Sequence, residues 1–434
     1  MLARQCLTLG TFTMYDRISM VGLGYIGLPT AALFAAHGAE VIGVDVSPRV
    51  VDTINAGRIH IIEPELDGIV HKAVMDGKLR ATLTPEPAEA FIIAVPTPFY
   101  DGYKPDLSFI ESASLAIAPV LRKGNLVVLE STSPVGATER MAEWLSQARP
   151  DLSFPQHAGE EADIQVAHCP ERVLPGHVIR ELVENDRVIG GMTAKASEMA
   201  IALYQRVVKG ECVVTNCRTA EMCKLTENSS RDVQIAFANE LSTICHGLGI
   251  DVWELISLAN RHPRVNILQP GAGVGGHCIA VDPWFIVSSA PDDAKLIRSA
   301  REINDNKPNW VVARGREAVI NILDANPNRT MESVTVACLG LAFKPDIDDL
   351  RESPALEITK QFGRLGCRVL AVEPHIGELP NALEGLPVQL VPLERALDAD
   401  VIIILVRHAA FRGLKDRVSK DCLLLDVVGI QNAG

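Results

Sequence analysis

The chain has 434 residues and a net charge of −13, with 54 acidic residues against 41 basic ones. Its 47% of hydrophobic and 22% of charged residues are typical of a globular protein large enough for two or three domains. The acidic balance argues against nucleic acid or an anionic membrane as the main partner, and no apolar run reaches the roughly 18 residues that span a bilayer.

The first residues carry no recognisable secretory signal. Residues 1–14 lack a charged start, an apolar centre and a small-residue cleavage site, so we interpret them as a leader without fold content. Met14 is a candidate natural start because it directly precedes the first predicted strand. Ten cysteines are scattered without any CxxC pair, which predicts reduced thiols in a cytoplasmic enzyme and no metal site.

Residues 15–210 alternate strand-like and helix-like segments. A strand is predicted over 18–22 and a helix over 28–38, and further strands follow at 40–46, 91–95 and 126–130. Strands that alternate with helices in this way indicate a parallel sheet with helices on both faces. We therefore expect a Rossmann domain here.

Long helical periodicity replaces this alternation in residues 211–325. Helices are predicted over 219–260 and 293–323, with a glycine-rich loop at 270–277 between them. Residues 326–434 return to alternation, with strands predicted at 335–339, 369–372, 401–405 and 423–427. The fold class predicted from these patterns is α/β, with two doubly wound, Rossmann-like domains joined by an all-helical connector.

A GxGxxG motif follows the first predicted strand. Gly22 suits a tight turn, Gly24 leaves room for a pyrophosphate, and Gly27 allows the helix to pack closely on the sheet. Tyr25 and Ile26 lie within the motif. Asp45 closes the second predicted strand, where an acid accepts hydrogen bonds from ribose hydroxyls and repels a 2′-phosphate, so NAD is favoured over NADP.

A second informative stretch is the loop before Cys278. Its glycines leave the backbone bare beside a thiol, and Asp282 follows four residues later. A flexible hinge with a buried cysteine fits this loop equally well. Lys224 and Asn228 stand four residues apart, which places both on one side of a predicted helix.

Taken together, these motifs resemble the UDP-sugar 6-dehydrogenase family. The likeness extends from about residue 18 to about residue 426, with its landmarks in the family's order. The further landmarks are VPTP at 95–98, ESTSPVG at 130–136, CPER at 169–172, GGHC at 275–278 and GLAFKP at 340–345. CPERVLPG at 169–176, NRHPRVNIL at 260–268 and HCIAVDPW at 277–284 are most similar to the branch that oxidises UDP-N-acetyl-D-mannosamine.

The resemblance implies a four-electron oxidation of C6 of the sugar, from alcohol to carboxylate, with two NAD per turnover. Cys278 would form a thiohemiacetal and then a thioester. Lys224 and Asn228 would stabilise oxyanions, and Asp282 would assist proton transfer, although the sequence leaves open whether Lys224 or Asp282 is the base in each step. Thr132 and Glu171 would order the water.

The resemblance also implies binding residues and assembly. Gly22, Gly24, Tyr25, Ile26, Gly27, Asp45, Thr97, Thr132 and Arg351 are expected to bind the cofactor. Glu171, Arg172, Lys224, Asn228, Arg264, Gly275 and Lys344 are expected to bind the UDP-sugar. The C-terminal domain, 326–434, would hold the nucleotide, and a homodimer is expected through the connector.

Two positions depart from the family pattern. Pro175 stands where UDP-glucose dehydrogenases commonly carry a second Glu, which disfavours UDP-glucose. Asp426 is followed by two valines and a glycine instead of a basic residue, which puts the uridine end of the site in question. Asp348 and Asp349 could suggest a metal, but adjacent carboxylates beside Arg351 are interpreted as ion-pair partners.

Three alternative functions remain open from the sequence. The first is the same reaction on UDP-N-acetylglucosamine or UDP-glucose. The second is a two-electron hydroxyacid dehydrogenase, which would need no cysteine. The third is an NAD-binding sensor without catalysis, which the combination of Cys278, Lys224, Asn228 and Asp282 disfavours.

Overall fold

The computed structural model describes residues 15–61, 63–100, 102–173, 176–276, 278–419 and 422–432. The predicted leader, Pro175 and His277 lie outside this set. The chain divides into an N-terminal unit, Met1–Thr226, and a C-terminal unit, Glu227–Gly434. The predicted domain limits at 15–210, 211–325 and 326–434 stay predictions. No helix in the described part of the chain is long and apolar enough to cross a membrane.

The N-terminal unit is built on a sheet of eight strands among its described residues. The strands of this unit, including a two-stranded hairpin formed by β5 and β6, are β1 (Arg17–Val21), β2 (Glu40–Val44), β3 (Leu79–Thr82), β4 (Ala90–Ile93), β5 (Phe99–Tyr100), β6 (Lys104–Pro105), β7 (Leu126–Leu129), β8 (Gln165–His168), β9 (Arg187–Gly191) and β10 (Cys212–Asn216). The helices are α1 (Gly27–Ala36), α2 (Pro48–Asn55), α3 (Leu66–Met75), α4 (Ser108–Ile117), α5 (Ala137–Ala148), α6 (Pro155–Ala158), α7 (Val178–Glu184), α8 (Ala194–Tyr204) and the start of α9 (Cys217–Leu248).

The strand order is β10-β9-β8-β7-β4-β1-β2-β3, and the order reverses between β1 and β4. Ligands of open parallel sheets bind outside the carboxyl ends of the strands at such a reversal. Strands β4 and β7 are buried along their whole length, as continuous apolar runs covered on both faces must be. One difference from the prediction is an antiparallel pair, β8 with β9, in an otherwise parallel sheet.

The C-terminal unit combines long helices with a second sheet. Its strands are β11 (Thr335–Leu339), β12 (Arg368–Val372), β13 (Val388–Leu390), β14 (Val401–Ile404) and β15 (Leu423–Asp426). Its helices are the remainder of α9, α10 (Val252–Ala259), α11 (Asp282–Ser289), α12 (Lys295–Ala325), α13 (Pro354–Arg364) and α14 (Leu393–Ala396). The sheet is parallel, in the order β13-β12-β11-β14-β15.

The second sheet repeats the arrangement of five strands in the first. β11 corresponds to β1, with the next strand of the chain on one side and β14, like β4, on the other. Gly340 follows β11 with φ +96°, as Gly22 follows β1 with φ +92°. The predicted α/β class with two Rossmann-like sheets and a helical middle is confirmed.

The helix predicted over 219–260 is interrupted. α9 ends at Leu248, Gly249 adopts φ +68°, and Asp251 begins α10 by accepting hydrogen bonds from the amides of Trp253 and Glu254. A side-chain acceptor just before an apolar helical run is a strong helix start signal. The apolar periodicity continues through the break and therefore concealed it.

Candidate active site

The three glycines of the loop after β1 have different surroundings. A Cβ at Gly22 would lie 2.4 Å from the carbonyl oxygen of Ala94, and a Cβ at Gly27 would lie 1.8 Å from that of Gly22. Local packing therefore requires both glycines. A Cβ at Gly24 would meet nothing within 4 Å. Gly24 borders open space next to bare backbone, which fits the approach of a pyrophosphate.

Asp45 lies just beyond β2 and is half-buried. Its carboxylate accepts hydrogen bonds from the amides of Leu23, at 3.1 Å, and Ser47, at 2.9 Å. The acid expected to bind ribose therefore also holds the glycine-rich loop in place. Tyr25 is 41% exposed at the start of the loop's helix, and Ile26 is half-buried beside it.

The loops after β4 and β7 are joined at the same sheet edge. The Thr97 hydroxyl donates a short hydrogen bond to the backbone oxygen of Thr132, and Ser131 donates to the oxygen of Val95 at 2.7 Å. Two residues expected at the cofactor, Thr97 and Thr132, are thus brought together next to Gly22, which contacts the first residue after β4.

Glu171 belongs to a buried charged cluster that the sequence did not reveal. Arg187 lies 2.8 Å from one Glu171 oxygen, and the amide of Arg172 donates to the other at 2.7 Å. Arg187 also lies 3.3 Å from Glu130, which accepts from the hydroxyl of Tyr204 at 3.1 Å. Burial raises the pKa of Glu130 to about 7, although Arg187 opposes the shift. One guanidinium thus serves two buried carboxyl groups.

Lys224 lies near the start of α9 and is only 9% exposed. One turn earlier, the Glu221 carboxylate accepts from the Gly136 amide at 2.6 Å and from the Thr138 amide at 2.8 Å. Burial raises the pKa of Glu221, and these hydrogen bonds counteract it. Glu221 therefore connects the Lys224 turn to the loop after β7, which contains Thr132, and to the start of α5.

The turn formed by residues 278–282, which contains Cys278, lies in the C-terminal unit. Cys278 is exposed, and its backbone oxygen accepts from the amide of Asp282 at 2.9 Å. Asp282 is buried at the first position of α11, where the helix dipole favours a negative charge. Its carboxylate accepts from the Asn228 side chain at 2.5 Å. Three of the predicted catalytic residues are therefore assembled here.

A buried polar network holds both ends of the loop that contains Cys278, residues 271–279, here called the cysteine loop. The Asn239 side chain accepts from the amide of Gly271 at 2.9 Å and donates to Asn304. Arg301 is 1% exposed, pairs with Asp232 at 2.6 Å and donates to the oxygen of Ile279, next to Cys278, at 3.4 Å. The network thus ties α9 and α12 to the loop.

The remaining predicted binding residues are in different surroundings. Arg172 is half-buried, and its guanidinium donates to the oxygen of Asp186. Arg264 is exposed between α10 and α11, and Lys344 is half-buried after β11. Arg351 forms an ion pair with Asp349 at 2.6 Å, as predicted for this one of the two adjacent carboxylates.

The glycine-rich turn that leads into α1, with Asp45 after β2, defines a dinucleotide-binding fold. An exposed cysteine follows a second glycine-rich loop. Family comparison is more specific. Residues 16–208, 218–306 and 337–433 match the NAD binding, central and UDP binding domains of the UDP-glucose/GDP-mannose dehydrogenase family. The chain belongs to this family and is an NAD-dependent oxidoreductase of UDP-sugars.

Individual relatives agree with this assignment. The chain is 62% identical to an NDP-N-acetyl-D-galactosaminuronic acid dehydrogenase from Ralstonia nicotianae, over 96% of this chain and 97% of the relative. It is 61% identical to a UDP-N-acetyl-D-mannosamine dehydrogenase from Yersinia pestis, over 96% and 99%. A solved UDP-D-ManNAc dehydrogenase structure from Pyrococcus horikoshii matches with TM-score 0.83 and 39% identity, over 96% of each chain.

The sequence analysis did not identify the buried residues that hold the predicted site residues in place. Arg187, Glu221, Asn239 and Arg301 are buried and act through long-range contacts. A charged or amide residue inside an apolar helix or strand was the available signal, since such residues are rarely buried without a partner.

Proposed function

We propose that the protein oxidises C6 of UDP-N-acetyl-D-mannosamine from the primary alcohol to the carboxylate, giving UDP-N-acetyl-D-mannosaminuronic acid. The turn that contains Cys278 and Asp282, with Asn228 of α9 hydrogen-bonded to Asp282, carries this proposal. A two-electron dehydrogenase has no use for such a thiol, and a sensor has no reason to combine it with a buried carboxylate.

The glycine-rich loop, Asp45, Thr97 and Thr132 would hold NAD. Support comes from Gly24, whose missing side chain leaves room for the diphosphate, and from the half-exposed carboxylate of Asp45 beside it. When bound, NAD accepts two electrons, so the oxidation of an alcohol to a carboxylate consumes two molecules.

Cys278 acts after the first oxidation. Its thiolate adds to the aldehyde carbon and the aldehyde oxygen takes up a proton; the thiohemiacetal then loses a hydride and its hydroxyl proton to become a thioester. Water then attacks the thioester carbonyl, the C–S bond breaks, and the carboxylate and the thiolate are released. The exposure of Cys278 supports this role, because the thiol must reach a substrate.

Buried polar groups would stabilise charge in these steps. Lys224 and Asn228 would stabilise the oxyanions, and Asp282 would accept or return protons. Thr132 and Glu171 would order the water, with Glu171 held by Arg187. Either Lys224 or Asp282 can act as the base in each step.

Phosphate and sugar contacts would come from Arg172, Arg264, Gly275 and Lys344, and Arg351 would reach the cofactor. We further propose that the reaction occurs in the cytoplasm and that the protein is a homodimer. Exposed apolar side chains on and beside α9 and α10 support the homodimer: Phe237, Ile244, Leu248, Ile250 and Leu258.

Two candidate substrates differ in the configuration of the sugar ring. The motifs at 169–176, 260–268 and 277–284 favour N-acetylmannosamine. The Ralstonia relative favours a second candidate, the same oxidation in the N-acetylgalactosamine series. The two reactions share every catalytic step and differ only at the sugar ring.

Counting NADH per sugar consumed tests the proposal. The purified protein is incubated with NAD and limiting UDP-N-acetylmannosamine, UDP-N-acetylgalactosamine, UDP-N-acetylglucosamine or UDP-glucose. We expect two NADH with the mannosamine sugar. Two NADH with a different sugar alone would keep the chemistry and overturn the specificity, whereas one NADH with free aldehyde would contradict the role of Cys278.

A matched pair of variants isolates the cysteine. Cys278→Ala should abolish carboxylate formation while NAD binding persists, because the thioester cannot form. Cys212→Ala, which changes a half-buried cysteine on β10, should keep the stoichiometry of two. Unchanged turnover in Cys278→Ala would contradict the proposed mechanism.

A further inference from the structure

Glu373 follows β12 at the position that Asp45 occupies after β2, yet its surroundings differ. One carboxylate oxygen accepts from the amides of Leu341, at 2.8 Å, and Ala342, at 3.0 Å. The side chain is fully buried, although burial alone would raise its pKa. Hydrogen bonds from His408 and the two amides outweigh burial and lower the pKa of Glu373. The carboxylate is therefore an internal anchor for the start of the loop after β11.

His408 is also fully buried; it contacts this loop at Asp346 and reaches the start of the loop through Glu373. Its Nδ1 lies 2.9 Å from the amide nitrogen of Asp346, and its Nε2 lies 3.0 Å from the Glu373 carboxylate. Because an amide can only donate, Nδ1 must accept, so the proton sits on Nε2 and is donated to Glu373. The Asp346 carboxylate accepts from the amide of Ala409 in return.

The loop held in this way is residues 340–353, here called the Lys344 loop. It contains Phe343 and Lys344 and packs against the cysteine loop. A Cβ at Gly275 would lie 2.7 Å from the Phe343 Cβ and 2.5 Å from the Glu352 oxygen. A Cβ at Gly276 would lie 2.9 Å from the Phe343 ring, and the amide of Gly276 donates to the oxygen of Arg351. The glycines before Cys278 are thus required by this packing.

Strain indicates that the loop conformation is imposed by its surroundings. Asp346 and Glu352 have φ +58° and +49°, a region that non-glycine residues rarely adopt. Such conformations persist where neighbouring contacts over-determine them, and they are concentrated at ligand-binding sites. Asp346 is held by His408 and Ala409, whereas Glu352 is packed on Gly275.

We propose that His408 and Glu373 are positioning residues that hold the Lys344 loop against the cysteine loop, so that nucleotide binding at Lys344 sets the placement of Cys278. The inference rests on the proposed role of Lys344 as a UDP-sugar contact. Since Phe343 lies beside Lys344 and touches the glycines before Cys278, movement at the nucleotide reaches the thiol through one packed side chain.

A cation site at the same place is less consistent with the contacts. Ligand atoms of Asp346, His375 and His408 lie within 4.8 Å of one another. However, His408 Nδ1 and the Asp346 carboxylate already accept amide hydrogen bonds. We therefore assign these atoms to the loop anchor.

Two conservative variants separate the two contacts of His408. His408→Gln keeps a donor near the Nε2 position for Glu373 but loses the acceptor for Asp346. His408→Asn keeps an acceptor near the Nδ1 position for Asp346 but loses the donor. UDP affinity is measured by calorimetry, and the rate of Cys278 alkylation by iodoacetamide is measured by mass spectrometry with and without UDP.

We expect His408→Gln to weaken UDP binding about tenfold, the effect of losing one strong hydrogen bond. UDP should slow Cys278 alkylation in the wild type and in His408→Asn but not in His408→Gln. NAD affinity should stay unchanged in both variants. Equal effects of the two variants on UDP affinity, matched by equal losses of thermal stability, would show a merely structural role and overturn the inference.

Two further variants keep the test decisive if His408 variants fold poorly. Phe343→Ala should leave UDP affinity intact but remove the effect of UDP on Cys278 alkylation; a retained effect would overturn the coupling. Lys344→Ala should weaken UDP binding. If it does so while His408→Gln and Phe343→Ala behave as wild type, the inference fails and the proposed function stands. If Lys344→Ala leaves UDP affinity unchanged, the proposed role of Lys344 itself is wrong.

Discussion

The three glycines of the first loop are glycine for different physical reasons. Gly22 and Gly27 leave no room for a Cβ beside Ala94 and Gly22, respectively, so the protein's own backbone requires them. Gly24 borders open space, so packing within the protein does not require it, and the proposed reason for a glycine here is the approach of a ligand. The GxGxxG pattern alone does not separate a folding role from a binding role.

Alanine substitutions should separate these roles. Gly27→Ala should destabilise the protein by about 1–3 kcal/mol or more, since overpacking forces the backbone to shift. Gly24→Ala should leave the melting temperature unchanged and weaken NAD binding. Thermal unfolding and NAD titration of both variants check this. A large loss of stability in Gly24→Ala would contradict the ligand-based explanation.

Glu130 shows how burial changes a single residue's chemistry. Its pKa is raised from the usual 4.5 to about 7 in the folded protein, because burial disfavours the charged form. The folded state therefore binds more protons than the unfolded state between these values. The contribution of Glu130 to stability is full below pH 4.5 and is lost as the pH rises through 7.

Glu130→Gln should therefore flatten the pH dependence of stability. The wild type should lose melting temperature between pH 5 and pH 8, and the variant should lose less, because the neutral amide has no charge to bury. Thermal unfolding at several pH values measures this. Glu143→Gln, at a half-exposed glutamate on α5, serves as the control and should follow the wild type. Parallel curves for all three proteins would be inconsistent with the raised pKa.

At the scale of elements, α9 and α12 are joined by buried polar side chains as well as by apolar ones. Asp232, Asn239, Arg301 and Asn304 form the network that also reaches Gly271 and Ile279. Buried charges need complete pairing, so such a network specifies how the two helices are aligned. The cysteine loop takes its position from this alignment.

Removing the cation of this network while its carboxylate stays buried should lower the stability of the protein. Arg301→Met should lower the free energy of unfolding by about 3–5 kcal/mol, because Asp232 would remain buried without its cation. Pairing it with Asp232→Leu should recover part of the loss. Denaturant unfolding measures both, with Arg316→Met, at an exposed arginine on the same helix, as the control. No difference between the Arg301 and Arg316 variants would contradict the role of the ion pair.

At the scale of the whole molecule, several large apolar side chains on or beside α9 and α10 are exposed. Phe237 and Ile244 are each 50% exposed and Leu258 is 59% exposed. Exposed apolar side chains that form one surface mark an interaction site. A second copy of the chain is the proposed partner.

Charges placed among these side chains should separate the proposed dimer into monomers. The double variant Phe237→Asp and Ile244→Asp should elute as a monomer, since burying a carboxylate in an apolar interface is strongly unfavourable. Light scattering after size-exclusion chromatography gives the mass. Leu115→Asp, at an exposed leucine on α4, should leave the mass unchanged. A double variant with the wild-type mass would place the interface elsewhere.

Much of the fold followed from local patterns. Strands at 18–22, 40–46, 335–339 and 401–405 were predicted within one or two residues of β1, β2, β11 and β14, because buried parallel strands are continuous apolar runs between turn signals. The strands that were not predicted are β3, β5, β6, β8, β9, β10 and β13. β10 has exposed valines at an edge, and its role depends on pairing with β9, which no local pattern reveals.

The class, the cofactor and the family could be predicted from local motifs, since GxGxxG, Asp45 and the motif around Cys278 act through spacing along the chain. The contacts that support these residues could not be predicted, because they form only when the chain packs. Glu171 with Arg187 and Asn228 with Asp282 are 16 and 54 positions apart, and His408 is 62 from Asp346. Hydrogen bonds and ion pairs depend on distances in space, which are set only when distant segments pack together.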